Sequence, residues 1–476
     1  MNQGLDFRKI EKGKQAELSP YFATQRLHMG DFSLGFQFMW NDTLKPEYAF
    51  AEGCLVIREF FMGKSWFHYP LSLNGDPEQE KAALSAIERH CRDNNDPLHF
   101  TNVPKDKLHA LVTRYDEANI SNNRRWRDYL YRAEDFKTYA GKKFSGQRNH
   151  VNKFLKLYPD WQFRPCGEDD LPAVRVFLGE YEEVQRKKHT YVAEEEMDEV
   201  YALLPYMKAF GLLAGVLEVG GRIVGFSAGE RCGDMIVVHI EKALRDFEGA
   251  YPFLARQFAL TFCGEGVEYL NRMDDAGDKG LRKSKLQYNP VELVDKYNVV
   301  PGRAIDGIHR LPVVKTERLT LCVVKKGDVE RYARLASDIE RNRYWGYDWR
   351  DDYKEGDPPP IYYMECAREE LKCRREMALG IYCGKELVGE AVLHRFGYAA
   401  EAEIGARLLP KFEGKGYARE AVSALAEYAF LQLGLERVEA KCYKENARSR
   451  AMLLGAGMRE AGEDDTYYRF LRTPGM

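Results

Sequence analysis

The chain has 476 residues, which at roughly 100 to 200 residues per domain predicts two to four domains and excludes a single small core. Apolar residues make up 45%, charged residues 30% and aromatics 13%, a mixture that builds globular cores and excludes disordered or fibrous classes. A formal net charge of -3 excludes a polycation and leaves only a local patch as a nucleic-acid surface. No apolar run reaches the ~20 residues of a membrane span. The opening MNQGLDFRKIEKGKQ lacks the apolar core and cleavage site of an export signal, so the expected location is the cytoplasm. Ten cysteines lie scattered, with no CxxC and no Cys/His pair at zinc-ligand spacing. They read as reduced, mostly buried thiols, and no metal is expected.

In chain order, the first uneven segment is 121–156, with Lys/Arg at 124, 125, 127, 132, 137, 142, 143, 148, 153 and 156 against Asp128, Glu134 and Asp135. Two readings stand: a solvated helical face, or a basic groove for RNA phosphates. From Gly211 the chain runs LLAGVLEV, the turn Gly220-Gly221, RIVGFSAGER, a second turn, MIVVHIEKA, a loop and the apolar stretch PFLARQFALTF. The connector VVPGRAIDGIHRLPVVKTE, 299–317, carries two prolines and two glycines without apolar periodicity and marks the main boundary, near 310. From Ala378 the earlier order returns: LGIYC, Gly384-Lys385, ELVGEAVLHRF, a turn, EAEIGARLL, a loop and the helix REAVSALAEYAFLQLG. Gly-containing two-residue turns between β-rich runs are hairpin chemistry. The shared order predicts two copies of one architecture.

The sharpest site signal lies in 402–433. A strand, EIGARLL, leads to Pro410, the loop KFEGKGY and a helix opening near Ala418, with Gly434 as its stop. Gly414 and Gly416 lack side chains, so backbone N-H groups there can close on one anion. The helix N-terminus adds unpaired donors and partial positive charge. A pyrophosphate is the expected ligand.

The run EGKGYAREA, 413–421, resembles the acyl-CoA-binding motif of the GNAT acetyltransferase superfamily, Gln/Arg-x-x-Gly-x-Gly/Ala. Gly416 and Ala418 match it, while Glu413 stands where Gln or Arg is usual. The strand RVEAKCY and the segment ENARSRAMLLGAGM resemble the next block of that superfamily, with Asn446 and Ser449 spaced as in the branch that acetylates ribosomal-protein N-termini. The resemblance spans about Thr316 to Thr473. It implies transfer of acetyl from acetyl-CoA to a primary amine on a small molecule, peptide or protein N-terminus. The pantetheine and pyrophosphate would lie on Leu408, Leu409, Gly414, Lys415, Gly416, Tyr417 and Ala418, with Asn446 orienting the thioester arm. Positioning supplies much of the rate of such a reaction, and a carboxylate can take the amine's proton directly or through water. Glu403 is the candidate base. The usual tyrosine acid is replaced by Leu453, which leaves Ser449 or Tyr443 as substitutes, or departure of the thiolate without help. His394 on the preceding strand reads as a structural histidine, and Trp345, Tyr347 and Trp349 read either as a wall of the acceptor cleft or as a surface loop.

Upstream, KKFSGQRNHVNKF, VVHIEKALRDFEGAYPF and NRMDDAGDKGLRKSKLQYNP concentrate charge in glycine-broken segments. Asp274 and Asp275 beside Arg282 and Lys285 suit either a clamp for a zwitterionic ligand or a salt-bridged loop. These stretches, within about Leu18 to Tyr297, resemble a bacterial family related to the soluble catalytic domain of phosphatidylglycerol lysyltransferases, itself built of tandem GNAT-like folds that use aminoacyl-tRNA. The resemblance implies a substrate site with His239, Glu241, Lys242, Asn271, Asp274, Asp275, Arg282 and Lys285. Met273 replaces an expected acid, and the loop after HIEKA has Gly249 but no GxG cradle, so CoA is expected to bind poorly there.

The resulting expectation is an α+β acyltransferase of tandem GNAT-like folds, mixed central sheets flanked by helices, in three copies: 1–150, 151–305 and 306–476. Its function is acetyl-CoA-dependent N-acetyl transfer through the last. The alternatives are aminoacyl transfer by the N-terminal region, with tRNA reached through 121–156, or a non-catalytic binding module. The sequence identifies neither the acceptor nor the oligomeric state.

Overall fold

Tight glycine turns set the hairpins. Gly220 and Gly221 at φ 58° and 76°, and Gly384 at φ 60°, adopt the left-handed backbone that two-residue hairpin loops require. The computed structural model describes residues 5–475 apart from 12, 25, 62, 95, 116–117, 187–190, 346–349, 351–352 and 355. Two units are resolved: 1–87 with 98–113 and 119–300, and 88–97 with 114–118 and 301–476. The change from one to the other at 300/301 falls inside the proline-glycine connector.

The first unit contains two mixed sheets. One orders the strands Arg8–Lys9, Glu47–Ala51, Cys54–Phe61, Lys64–Phe67, Phe100–Pro104, Lys296–Val300 and Asn119–Asn122, with Leu71–Ser72 paired beside Cys54–Phe61. The other orders Glu292–Val294, Asp128–Arg132, Tyr269–Asn271, Met235–Ala243, Arg222–Cys232, Leu213–Val219 and Trp161–Pro165. Residues 128–132 thus build the second sheet, and the chain returns to the first only at Lys296.

The second unit holds an eight-stranded sheet. Its strands are β1 (Val314–Lys315), β2 (Leu319–Cys322), β3 (Glu376–Cys383), β4 (Glu386–His394), β5 (Glu401–Leu408), β6 (Arg437–Tyr443), β7 (Arg459–Glu463) and β8 (Tyr467–Arg472), in the spatial order 1-2-3-4-5-6-8-7. Helices α1 (Val329–Ser337) and α2 (Pro360–Lys372) precede β3, α3 (Tyr417–Leu433) joins β5 to β6, and α4 (Ala447–Gly455) follows β6.

All three sheets share one device: an antiparallel run of three strands, a helix, and a strand parallel to the third. The parallel pairings are Phe67 with Phe100, Met235–Val237 with Tyr269–Asn271, and Glu401–Glu403 with Arg437–Glu439. Each lasts three residues or fewer before the strands part. The predicted class, a mixed α+β chain with three sheets flanked by helices, is what the structure shows, and the echo between 211–262 and 378–433 is real.

Alternation along β5 separates two faces. Ala402, Ile404 and Leu408 join Ala421, Val422 and Leu425 of α3 in one buried cluster. Glu403, Gly405 and Arg407 alternate with them, on the side where α1 and α2 pack Tyr332, Ala336, Tyr363 and Met364 against Tyr382 and Leu387. Leu393 on β4 is fully buried in the α3-side cluster. Its truncation to alanine removes about 2 to 5 kcal/mol, so Leu393→Ala is expected to lower the denaturation midpoint of the second unit, read by hydrogen exchange at β4 and β5, while the exchange of the first unit's sheets stays unchanged.

Candidate functional site

The site of the second unit is a fork. β5 and β6 pair in parallel over Glu401–Glu403 and Arg437–Glu439, after which residues 404–408 of β5 and 440–443 of β6 face one another without a ladder. Parallel strands otherwise bond evenly along their length, so this gap exposes backbone groups to a ligand. The far side of β6 is still paired, to β8, as far as Tyr443.

At the open end of the fork the chain makes the turn Pro410–Phe412, then Gly414 at φ 72° and Gly416 at φ 77°, and enters α3. A side chain added at Gly414 would meet nothing within 4 Å, and one at Gly416 would meet only the guanidinium ends of Arg318 (3.5 Å) and Arg419 (4.0 Å). Among the described residues none accepts from the amides of 414–419, the unpartnered donors of a helix N-terminus. Arg318 braces the loop: Nη1 donates to the Lys415 carbonyl at 3.1 Å and the guanidinium pairs with Glu420 at 2.6 Å. These residues therefore fit a pyrophosphate, which needs backbone donors and room. Glu413, where the family pattern has a donor, pairs with Arg448 at 3.2 Å. Leu408 is buried, while Leu409 is half-buried and donates its amide to Val388.

Glu403 is the last residue of β5 paired with β6, so it stands at the crotch of the fork. Its Oε2 lies 3.1 Å from Lys441 Nζ and 3.4 Å from Arg395 Nε. Burial pushes the Glu403 carboxyl up, but His394, Lys441 and Arg395 outweigh it and hold it below the usual range. Tyr443, at the end of β6, packs between Tyr344 (ring centres 5.3 Å apart) and Tyr467 (4.6 Å), tilted to both. Asn446 spends its side-chain oxygen capping α4, accepting from the Ser449 amide at 3.1 Å. Leu453 is buried in the core, so no side chain from that position reaches the fork. Trp345 packs against Gly405 and under the Arg407 guanidinium, 4.5 Å from its ring centre. Tyr347 and Trp349 lie outside the described residues.

Sequence reading missed Glu376, at the start of β3. Burial, with the Glu390 charge, pushes its carboxyl up to about 8. Glu390 is itself taken up by Arg407 at 2.6 Å and by the Tyr332 hydroxyl. Nothing in RREMALG signals this, because the effect comes from strands brought together in space.

In the first unit, the predicted polar residues meet one another. Asp275 is wholly enclosed, accepting from Tyr129 (2.7 Å), Arg282 (2.8 and 2.9 Å), Arg124 (3.1 Å) and the Gly277 amide (2.9 Å). Lys285 donates to the carbonyls of Arg272 (2.7 Å) and Asp274. Glu241 pairs with Arg272, which lies 4.6 Å from the Tyr288 ring centre. His239 faces Glu230 at 3.4 Å, and Lys242 sits 5.5 Å from the Tyr181 ring centre. Asn271 bridges the His28 carbonyl and Asp128. Asp274 accepts from the Ala276 amide at 2.8 Å and is pushed up to about 6, chiefly by burial. Lys296, which sequence reading missed, is buried against Asp31 and Asp128. Met273 packs into the cluster with Leu130 and Val294. Within 121–156, Arg124, Arg127, Lys137, Lys143 and Lys153 are ion-paired. A side chain at Gly249 would lie 2.2 Å from the His150 carbonyl, so the counterpart of the cradle is filled by backbone here.

The phosphatidylglycerol lysyltransferase C-terminal family model matches residues 23–300, more than half of the sequence, and the chain belongs to that family. The acetyltransferase (GNAT) domain model matches 318–459. The chain is an acyltransferase of the acetyl-transferring class, with the GNAT domain at its C-terminus. It is 28% identical over 154 residues to the uncharacterized N-acetyltransferase YoaA of Bacillus subtilis, covering 32% of this chain and 85% of that one. It is 38% identical over 72 residues to the FsC-acetyl coenzyme A-N(2)-transacetylase of Aspergillus fumigatus, covering 15% of this chain and 29% of that one. A conserved Bacteroides thetaiotaomicron protein of unknown function superposes with a TM-score of 0.59 at 27% identity, covering 63% of this chain and all of that one. Among the described residues no helix is long and apolar enough to cross a membrane.

The enclosure of Asp275 has a measurable consequence. Burial would raise its pKa, but Arg282, Tyr129 and the Gly277 amide hold it far below the ordinary value. A depressed carboxyl stabilises the fold above its unfolded pKa of about 4 and loses that contribution as pH falls. Removing one partner of such a buried pair costs about 3 kcal/mol or more. Asp275→Asn is therefore expected to lower the melting temperature of the first unit at pH 7 and to flatten its decline below pH 4, read by scanning calorimetry across pH.

Proposed function

We propose that the second unit is an N-acetyltransferase that takes acetyl from acetyl-CoA to a primary amine. The observation that carries this is the open cradle at Gly414 and Gly416, set at the mouth of the β5/β6 fork. Diphosphate would lie on the amides of 414–418, and the pantetheine arm along the edge of β5 that has parted from β6, towards Leu408 and Leu409, with Asn446 beside it. Acetyl-CoA supplies an activated carbonyl, and the protein's part is alignment and charge. Glu403 at the crotch draws the acceptor's ammonium to the reacting end and leaves its proton to the polar row on that face. Tyr443, on the same fork, is the hydroxyl best placed to protonate the departing thiolate, since Ser449 lies in the first turn of α4. The acceptor is a small amine, a peptide or a protein N-terminus. The A. fumigatus relative, whose name states acetyl-CoA as donor, supports the same donor here.

Titration calorimetry tests the reading. Acetyl-CoA and CoA are expected to bind one-to-one, and Gly416→Asp, which adds a carboxylate and a strained backbone where the diphosphate would sit, is expected to weaken both at least 100-fold without changing the melting temperature of the first unit. Absence of binding to the wild type would overturn the assignment.

A further inference from the structure

Three residues stand in register across the acceptor face. His394 on β4 has Glu376 on β3 and Glu403 on β5 as its two cross-strand partners, and Lys441 on β6 reaches Glu403 from the other side. Arg395, the residue after His394, pairs with both Glu403 and Asp93. His394 is half-buried, and no described residue hydrogen-bonds its ring, so the imidazole is not consumed as a structural tie.

Glu403, by contrast, has one carboxylate oxygen within ion-pair distance of two cations. A carboxylate so held has little affinity for a proton and suits a fixed negative charge. Burial lowers the pKa of His394, as do Arg395 and Lys441, while Glu403 opposes them, leaving it below the ordinary histidine value. The ring is neutral at neutral pH, the form in which it can accept.

We propose that His394, rather than Glu403, receives the proton released by the acceptor ammonium, with Glu403 as the anion that stabilises the resulting imidazolium. This rests on the acetyl-transfer reading of the same site. One ammonium N-H bond breaks, its electron pair stays on nitrogen and the proton passes to an imidazole nitrogen, directly or through a water. The nitrogen pair forms the new N-C bond to the acetyl carbon. The C-S bond breaks with its pair on sulfur, which takes a proton from the Tyr443 hydroxyl as that oxygen takes the second amine proton, and the imidazolium returns its proton to solvent.

The test uses the full-length protein. Thiol release from acetyl-CoA is followed against pH with three amine probes: spermidine, n-butylamine and a peptide with a free N-terminal serine. His394→Gln is expected to lower kcat by about 100-fold or more, to abolish the acid limb of its pH profile and to leave acetyl-CoA affinity unchanged. Glu403→Gln is expected to keep the limb and move it to lower pH, because the anion that favours the imidazolium is gone. The reverse pattern, in which His394→Gln keeps the limb and Glu403→Gln removes it, overturns the proposal. Independently of turnover, ring-labelled histidine NMR with His394→Gln as the assignment control is expected to show His394 titrating below 6.5, and lower still in Glu403→Gln. Titration at or above 6.5, or no response to Glu403→Gln, overturns the proposal even if none of the probes is a substrate. Failure to bind acetyl-CoA would instead remove the reading on which it rests.

Discussion

The parting of β5 from β6 after a three-residue ladder is the constraint on which the second unit depends. Backbone donors and acceptors are normally paired within a sheet, and here two strand edges leave the ladder side by side, next to a helix N-terminus. The core side is held together by the cluster under α3, so the sheet opens without losing its packing. The glycines at 414 and 416, both at positive φ, let the chain round the open end of the strands, and no described residue accepts from the amides there.

The same parting occurs in the first unit, where Met235–Val237 pairs with Tyr269–Asn271 and then diverges. Its surroundings are different. Gly249 abuts the His150 carbonyl, so no empty cradle precedes the following helix, and Asp275, Glu241, Lys285 and Lys296 are committed to partners within the unit. One architecture thus carries two chemical environments, and the difference lies in what fills the loop before the crossover helix. The family to which the chain belongs is shown by this first unit; the acetyltransferase (GNAT) domain model matches the second.

Buried charge is arranged by sheet register. On β3 to β6, Glu376, His394, Glu403 and Lys441 come from segments separated by 9 to 38 residues in sequence, and they meet because their strands align them in one row. His394, Lys441 and Arg395 hold Glu403 as an anion, while burial and the Glu390 charge keep the Glu376 carboxyl protonated to higher pH. Such pairwise effects are large only where water is excluded.

Local chemistry was legible in the sequence alone. The hairpin turns, the glycine loop before α3, the connector at the unit boundary and the repeated strand order all follow from residue types at short spacing, because turn glycines, helix stops and alternation act over a few residues. What required tertiary structure was partnership. The sequence could name Asp275 beside Arg282 but not Tyr129 and Arg124, which complete its enclosure, could read His394 as structural without knowing that no described residue bonds its ring, and had no signal for Glu376 or Lys296. Those properties arise from desolvation and from charges contributed by strands far apart in the chain, and they exist only once the sheets have closed.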